Sequence, residues 1–130
     1  MIIIESSEII RERIATLMGQ VEGLEVVGLA ATAGFGLDLC VERQPRAVVA
    51  GLETPDMNGL KLLQRLRETL PDGRIVALTN CSFKGLQQLS IECGADHCFN
   101  KMTEFEKAVE VCKELLESMS ACPDSDSCSQ

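Results

Sequence analysis

The chain has 130 residues, 45% of them hydrophobic, enough for one domain with a real core. Its formal net charge of −8 argues against nucleic acid as a ligand, because contact with a phosphate backbone needs a surplus of Lys and Arg. Trp and Tyr are absent and Phe occurs only four times, so the core must be aliphatic, built from Leu, Ile, Val and Ala.

The opening Met1–Ile4 run is followed at once by Glu5 and lacks the basic flank and long apolar stretch of a signal peptide. No segment reaches transmembrane length, so membrane insertion is not expected and the cytoplasm is the expected compartment. Cysteines stand at positions 40, 81, 93, 98, 112, 122 and 128, an odd set that in a reducing compartment is expected to remain as free thiols. Cys40 and Cys112 lie on apolar helical stripes, where a thiol behaves as a small hydrophobe.

Short apolar runs alternate with helical patterns. Ile2–Ile4, Val26–Leu29, Ala47–Ala50, Ile75–Leu78 and Asp96–Phe99 are expected strands, apolar on both faces as parallel strands between helices should be. Helices are expected over Glu8–Gly19, Gly34–Arg43, Leu60–Leu70, Lys84–Cys93 and Thr103–Met119. In the last, Phe105, Val109, Cys112, Leu116 and Met119 fall on one face, and Thr103 with Glu106 fits a capping box. Pro45, the Pro71-Asp72-Gly73 turn and Gly94, a candidate C-terminal helix cap, punctuate the boundaries. Strict βα alternation with short connections predicts an α/β fold: a parallel five-stranded sheet, order 2-1-3-4-5, covered by helices on both faces in a flavodoxin-like (βα)5 sandwich. Residues 1–119 are the expected domain. Residues 120–130 are polar and serine-rich and are expected to form a flexible tail.

A flavodoxin needs a glycine and hydroxyl loop after its first strand to cradle the flavin phosphate. Here that stretch is Glu5-Ser6-Ser7-Glu8-Ile9, which has no glycine and carries two acids, and the chain has no Trp or Tyr to stack on the ring. The motifs instead resemble a bacterial response-regulator receiver domain. The turn with Pro55, Met57, Asn58 and Gly59 is similar to that family's proline-turn-glycine signature, and Gly94-Ala95-Asp96 followed by Lys101 is similar to the end of its fifth strand.

The resemblance implies a phosphorylation pocket, and the pocket is degenerate. The family's acidic pair for magnesium is matched by Glu5 and Ser6, so one acid survives. The acceptor aspartate is replaced by Gly51, the hydroxyl residue by Thr79, the lysine by Lys101, and the aromatic switch by Cys98. Gly51 has no nucleophile, and Glu5 alone is a weak magnesium site, so no cofactor is expected. Glu53 and Asp56 are the nearest surrogate carboxylates, expected several ångströms from an in-line position. Lys101, without its usual partner, is expected to lean toward Glu5 or out to solvent. Thr79 reads equally as a strand-end residue bonded to nearby backbone. His97, the one histidine, has no paired nucleophile, and no enzyme activity is expected.

These residues lead to the expectation of a phosphorylation-independent receiver in two-component signalling that acts by protein–protein interaction. No output domain follows in the sequence, so its partner would be a histidine kinase, a phosphotransfer protein or another receiver. A homodimer is also open. The resemblance places the contact on the face of the fourth helix, fifth strand and fifth helix, with Gly85, Leu86, Leu89, Glu104, Lys107 and Val111 as candidates. One alternative is a redox sensor using Cys81 and Cys98, with a thiol near Lys101 activated by its charge. A second is phosphorylation on a surrogate carboxylate.

Overall fold

Three consecutive isoleucines, Ile2–Ile4, form the strand β1 from which the sheet grows on both sides. The computed structural model describes residues 1–21, 24–81 and 83–121, the side chains at 84 and 115–121 excepted. In chain order the elements are β1, α1 (Glu8–Gly19), β2 (Gly28–Ala30), α2 (Ala33–Arg43), β3 (Ala47–Gly51), α3 (Gly59–Thr69), β4 (Arg74–Thr79), α4 (Lys84–Glu92), β5 (His97–Asn100) and α5 (Phe105–Ala121). The five strands are parallel, in the order β2-β1-β3-β4-β5 that the βα alternation predicts.

Alternation along the strands divides the core in two. Ile2, Ile4, Val48, Ala50, Ile75 and Ala77 face α2 and α3, where they meet Cys40, Leu62, Leu63 and Leu66. Ile3, Val49, Val76 and Leu78 face the other way and pack on Ile14 and Met18 of α1 and on Phe105, Ala108 and Cys112 of α5. Burial pushes the Cys40 thiol up to about 11 and the Cys112 thiol to about 12, which keeps both as protonated filler.

The helix ends follow local chemistry. Ser7, Thr32 and Asn58 cap α1, α2 and α3 through their side-chain oxygens. Gln44 closes α2 in the left-handed region just before Pro45. Gly94 follows α4 with φ +122°, a conformation that favours glycine, and its N–H donates to Ile91 O, as the sequence pattern predicts for a cap.

Most boundaries shift by a residue or two from expectation, and those of β2, β5 and α5 bear on the fold. β2 begins at Gly28 rather than Val26, because its ladder can start only where β1 offers a partner, Ile2. β5 runs His97–Asn100, one residue later than expected. The capping box at Thr103 and Glu106 does not form: α5 starts at Phe105, and the Asn100 carboxamide oxygen instead accepts the N–H groups of Met102 and Thr103. At its far end α5 reaches Ala121. The side chains of Leu116 and Met119, and the tail with Cys122 and Cys128, lie outside the described residues.

At the end of the sheet away from the site, one guanidinium ties two loops together. Arg67 donates to Gly94 O at 2.7 Å, to Gly73 O at 2.7 Å and to Asp96 Oδ2 at 2.9 Å, and the same Asp96 oxygen accepts from Ile75 N at 2.8 Å. Removing a charged donor leaves these acceptors without it. Arg67→Met is expected to lower unfolding free energy by about 2–3 kcal/mol, the scale of hydrogen bonds to a charged group, as read by urea denaturation.

Candidate functional site

The sheet order sets the place of the site. β1 and β3 are neighbours, yet the chain leaves β1 through α1 on one face and β3 through α3 on the other. Such a switch point opens a crevice at the carboxyl ends of the strands. Glu5 follows β1, Gly51 ends β3, Thr79 ends β4 and Lys101 follows β5, so the fold brings the four together.

A buried ion pair lies at the centre. The Lys101 side chain is 7% exposed and that of Glu5 1%. Lys101 Nζ lies 3.2 Å from both Glu5 oxygens. The Ser7 N–H donates to Glu5 Oε2 at 2.9 Å, so the buried carboxylate is paired and further bonded by backbone. A buried ionic group needs that degree of satisfaction to be tolerated.

Glu53 reaches into the same pocket. Its Oε1 is 3.4 Å from Lys101 Nζ and accepts the Asn80 N–H at 3.1 Å, while Oε2 accepts the Thr79 hydroxyl at 2.5 Å. The turn after β3 carries it there: Leu52 N donates to Leu78 O, the chain bends at Leu52, and Glu53 bridges back to Asn58.

Gly51 gives the ion pair its room. A β-carbon there would fall on Glu5 Oε1 and lie 3.1 Å from Glu5 Cδ. Glycine at 51 and the inward Glu5 are thus one arrangement: the acid from β1 fills the space above the end of β3.

Magnesium, which the resemblance implies, does not fit these residues. It requires oxygen ligands in near-octahedral geometry. Both Glu5 oxygens already face an ammonium, and the Ser6 hydroxyl donates directly to Glu53 O at 2.8 Å, leaving no gap for an ion between those oxygens. Among the described residues no group of three or more His, Cys, Asp or Glu side chains converges on a metal position.

Asp56 is directed elsewhere. Its carboxylate accepts from Gly34 N at 2.9 Å and Ala33 N at 3.0 Å, at the start of α2. These backbone bonds, Gly34 first, hold its pKa below the usual aspartate value.

Cys98 does not take the activated form expected of a sensor thiol. Cys98 is half-buried against the α2–α3 side of the core, and burial raises its pKa. A hydrogen bond with Ser90 opposes that rise, while the nearby acids Glu104 and Glu53 add to it. The lysine charge that was to activate Cys98 is already matched by Glu5 and Glu53. Cys81 is exposed, and its N–H donates to Thr79 Oγ1 at 3.0 Å.

On the α4–β5–α5 face, Leu86 packs half-buried on the core, while Gly85 and Val111 are also half-buried. Gly85 lies under the Phe83 ring, which a β-carbon at 85 would meet at 2.5 Å. Glu104 is held by Asn100 N at 3.0 Å and Gln87 Nε2 at 3.3 Å, and Lys107 is exposed beside it. Ile91, outside the sequence-based candidates, is 43% exposed beside β5, whereas Leu89, equally exposed, stands two residues away and projects to another side of α4.

Comparison with known proteins agrees with this geometry. Residues 1–113 match the family described as response regulator receiver domain, and the chain belongs to that family. It is 24% identical over 115 residues to the response regulator GacA of Pseudomonas aeruginosa, covering 88% of this chain and 54% of that protein. It is 28% identical over 109 residues to the uncharacterized transcriptional regulatory protein YhcZ of Bacillus subtilis, covering 84% of this chain and 51% of that one. The chain thus spans about half the length of these relatives. Among solved structures, the CheY-like receiver domain protein of Methanospirillum hungatei superposes with a TM-score of 0.80 at 25% identity, covering 92% of this chain and 94% of that one. The chain is therefore a receiver domain of two-component signalling, with the CheY-like, flavodoxin-like fold. Receiver domains are typically non-enzymatic, and no described helix is long and apolar enough to cross a membrane.

Two measurements test the site. Gly51→Ala forces a methyl group against the buried Glu5 carboxylate and is expected to destabilise the fold by about 1–3 kcal/mol in urea denaturation, the usual cost of overpacking. Asp56 has a folded pKa below its unfolded value, so its stabilising effect is present above the unfolded pKa and is lost as pH falls through the folded one. Asp56→Asn is expected to lower Tm at neutral pH and to flatten the acid limb of the Tm–pH curve, with the two proteins converging at low pH.

Proposed function

We propose that this receiver domain works without phosphorylation and acts by protein–protein interaction. The observation that carries the reading is at the end of β3, where Gly51 offers no nucleophile and the buried Glu5 carboxylate occupies the space above it, already paired with Lys101. In-line phosphoryl transfer needs a positioned nucleophile and free cationic groups to receive the transferred charge. Gly51 supplies no nucleophile, and the Lys101 ammonium already faces two carboxylates. Asp56, a surrogate by sequence, is engaged at the start of α2.

The contact surface is the α4–β5–α5 face. It presents the exposed apolar Ile91 of α4, beside His97 and Phe99 of β5, together with the charged Lys107 and Glu104 at the start of α5. Partners in keeping with the family are a histidine kinase, a phosphotransfer protein or a second receiver, which includes a second copy of this chain. Half-buried Cys98 cannot swing a bulky ring in and out, which favours one fixed surface over two alternating ones.

The test is intact-mass spectrometry after incubation with acetyl phosphate and Mg²⁺. The wild-type chain is expected to show no phosphoryl adduct and no change in self-association. An adduct that disappears in Glu53→Gln would overturn the reading in favour of a surrogate acceptor.

A further inference from the structure

Three hydrogen-bond donors of different kinds converge at the mouth of the crevice: the Lys101 ammonium, the Thr79 hydroxyl and the Asn80 backbone N–H. Together they describe an anion-binding hollow, the arrangement that preorganised donors make for a negatively charged group. Its occupant is part of the chain. Glu53 takes all three, at 3.4 Å from Lys101 Nζ, 2.5 Å from Thr79 Oγ1 and 3.1 Å from Asn80 N. Glu5 alone could neutralise Lys101, so charge balance does not explain why a second carboxylate, itself 36% exposed, gives up part of its hydration to enter.

What Glu53 adds is a connection to the β4–α4 segment. Thr79 Oγ1 donates to Glu53 and, through its lone pair, accepts the Cys81 N–H at 3.0 Å. The Asn100 carboxamide reaches Cys81 O at 3.5 Å, and Lys101 N donates to Thr79 O at 2.8 Å. One carboxylate therefore orders three successive residues, 79 to 81, shortly before α4, whose Ile91 lies beside β5 on the proposed contact face.

We propose that Glu53 is a built-in anion that stands in for a transferred phosphoryl group, holding the Thr79–Cys81 segment inward so that the receiver keeps a single, liganded arrangement with no ligand. This rests on the phosphorylation-independent reading and gives it a mechanism: the domain lacks a switch because the switching charge is covalently part of the β3–α3 loop. The turn after β3 supplies the placement, since the Leu52 N–H bonded to Leu78 O and the bridge from Glu53 to Asn58 anchor residue 53 beside the end of β4.

Hydrogen exchange at the Asn80 and Cys81 amides tests the idea, since both N–H groups end on this network. Glu53→Ala is expected to raise exchange at both by about tenfold, with amides of β1 and β3 unchanged, because a hydrogen bond to a charged group is lost locally. An excess of acetate, which returns a free carboxylate to the emptied space, is expected to slow exchange again in Glu53→Ala and to leave wild type unaffected. Thr79→Ser keeps the relay and should retain protection of Cys81, whereas the isosteric Thr79→Val should lose it. Unchanged exchange at Asn80 and Cys81 in Glu53→Ala, or equal exchange in the two Thr79 variants, would overturn the proposal, as would an acetate effect equal in wild type and variant. Should Glu53→Ala fail to fold, the Thr79 pair decides alone. Failure here leaves the acetyl phosphate result untouched, so the two readings fall separately.

Discussion

A buried ammonium facing two carboxylates is the constraint around which the carboxyl end of this sheet is arranged. Lys101 lies almost entirely out of water, and so does Glu5. Two such groups are tolerated only as a pair with further hydrogen bonds, since either one left alone in the interior destabilises a protein strongly. Glu5 obtains its additional bond from Ser7 N, at the residue that also caps α1. The pair thereby couples β1, the start of α1 and the end of β5, segments distant in sequence.

The glycine at 51 follows from that pair. A β-carbon at 51 has nowhere to go without displacing the Glu5 carboxylate, so the glycine and the buried acid form one arrangement. The same logic explains why magnesium has no place: its expected ligands are an ammonium-bound carboxylate and a serine hydroxyl bonded to a carbonyl.

Most of the fold was legible in the residues, and specific elements show why. β1, β3 and β4 are runs buried on both faces, so apolar composition alone locates them. α3 begins at Gly59 because Asn58 caps it, and the Pro71–Gly73 turn closes with Gly73 N donating to Leu70 O. The misplaced boundaries are those set by partners. β2 is trimmed by the length of β1, and α5 starts late because Asn100, three residues before the expected cap, satisfies the free N–H groups. Arg67 was invisible beforehand, as nothing in a helical arginine signals that carbonyls from two other loops will gather around it.

The site divides along the same line. Local pattern determined which residues stand at strand ends, because strand ends are marked by the apolar runs that precede them, and so Glu5, Gly51, Thr79 and Lys101 could be named from the chain alone. The absence of a nucleophile at Gly51 is likewise a property of composition. Which charges meet was decided only by the tertiary structure. Glu53 turned inward and Asp56 outward although they are three residues apart, since one is held beside the end of β4 by its bridge to Asn58 and its bonds to Thr79 and Asn80, and the other answers the N–H groups at the start of α2. Electrostatic pairing depends on distances between segments remote in sequence, and those distances exist only once the sheet has closed around them.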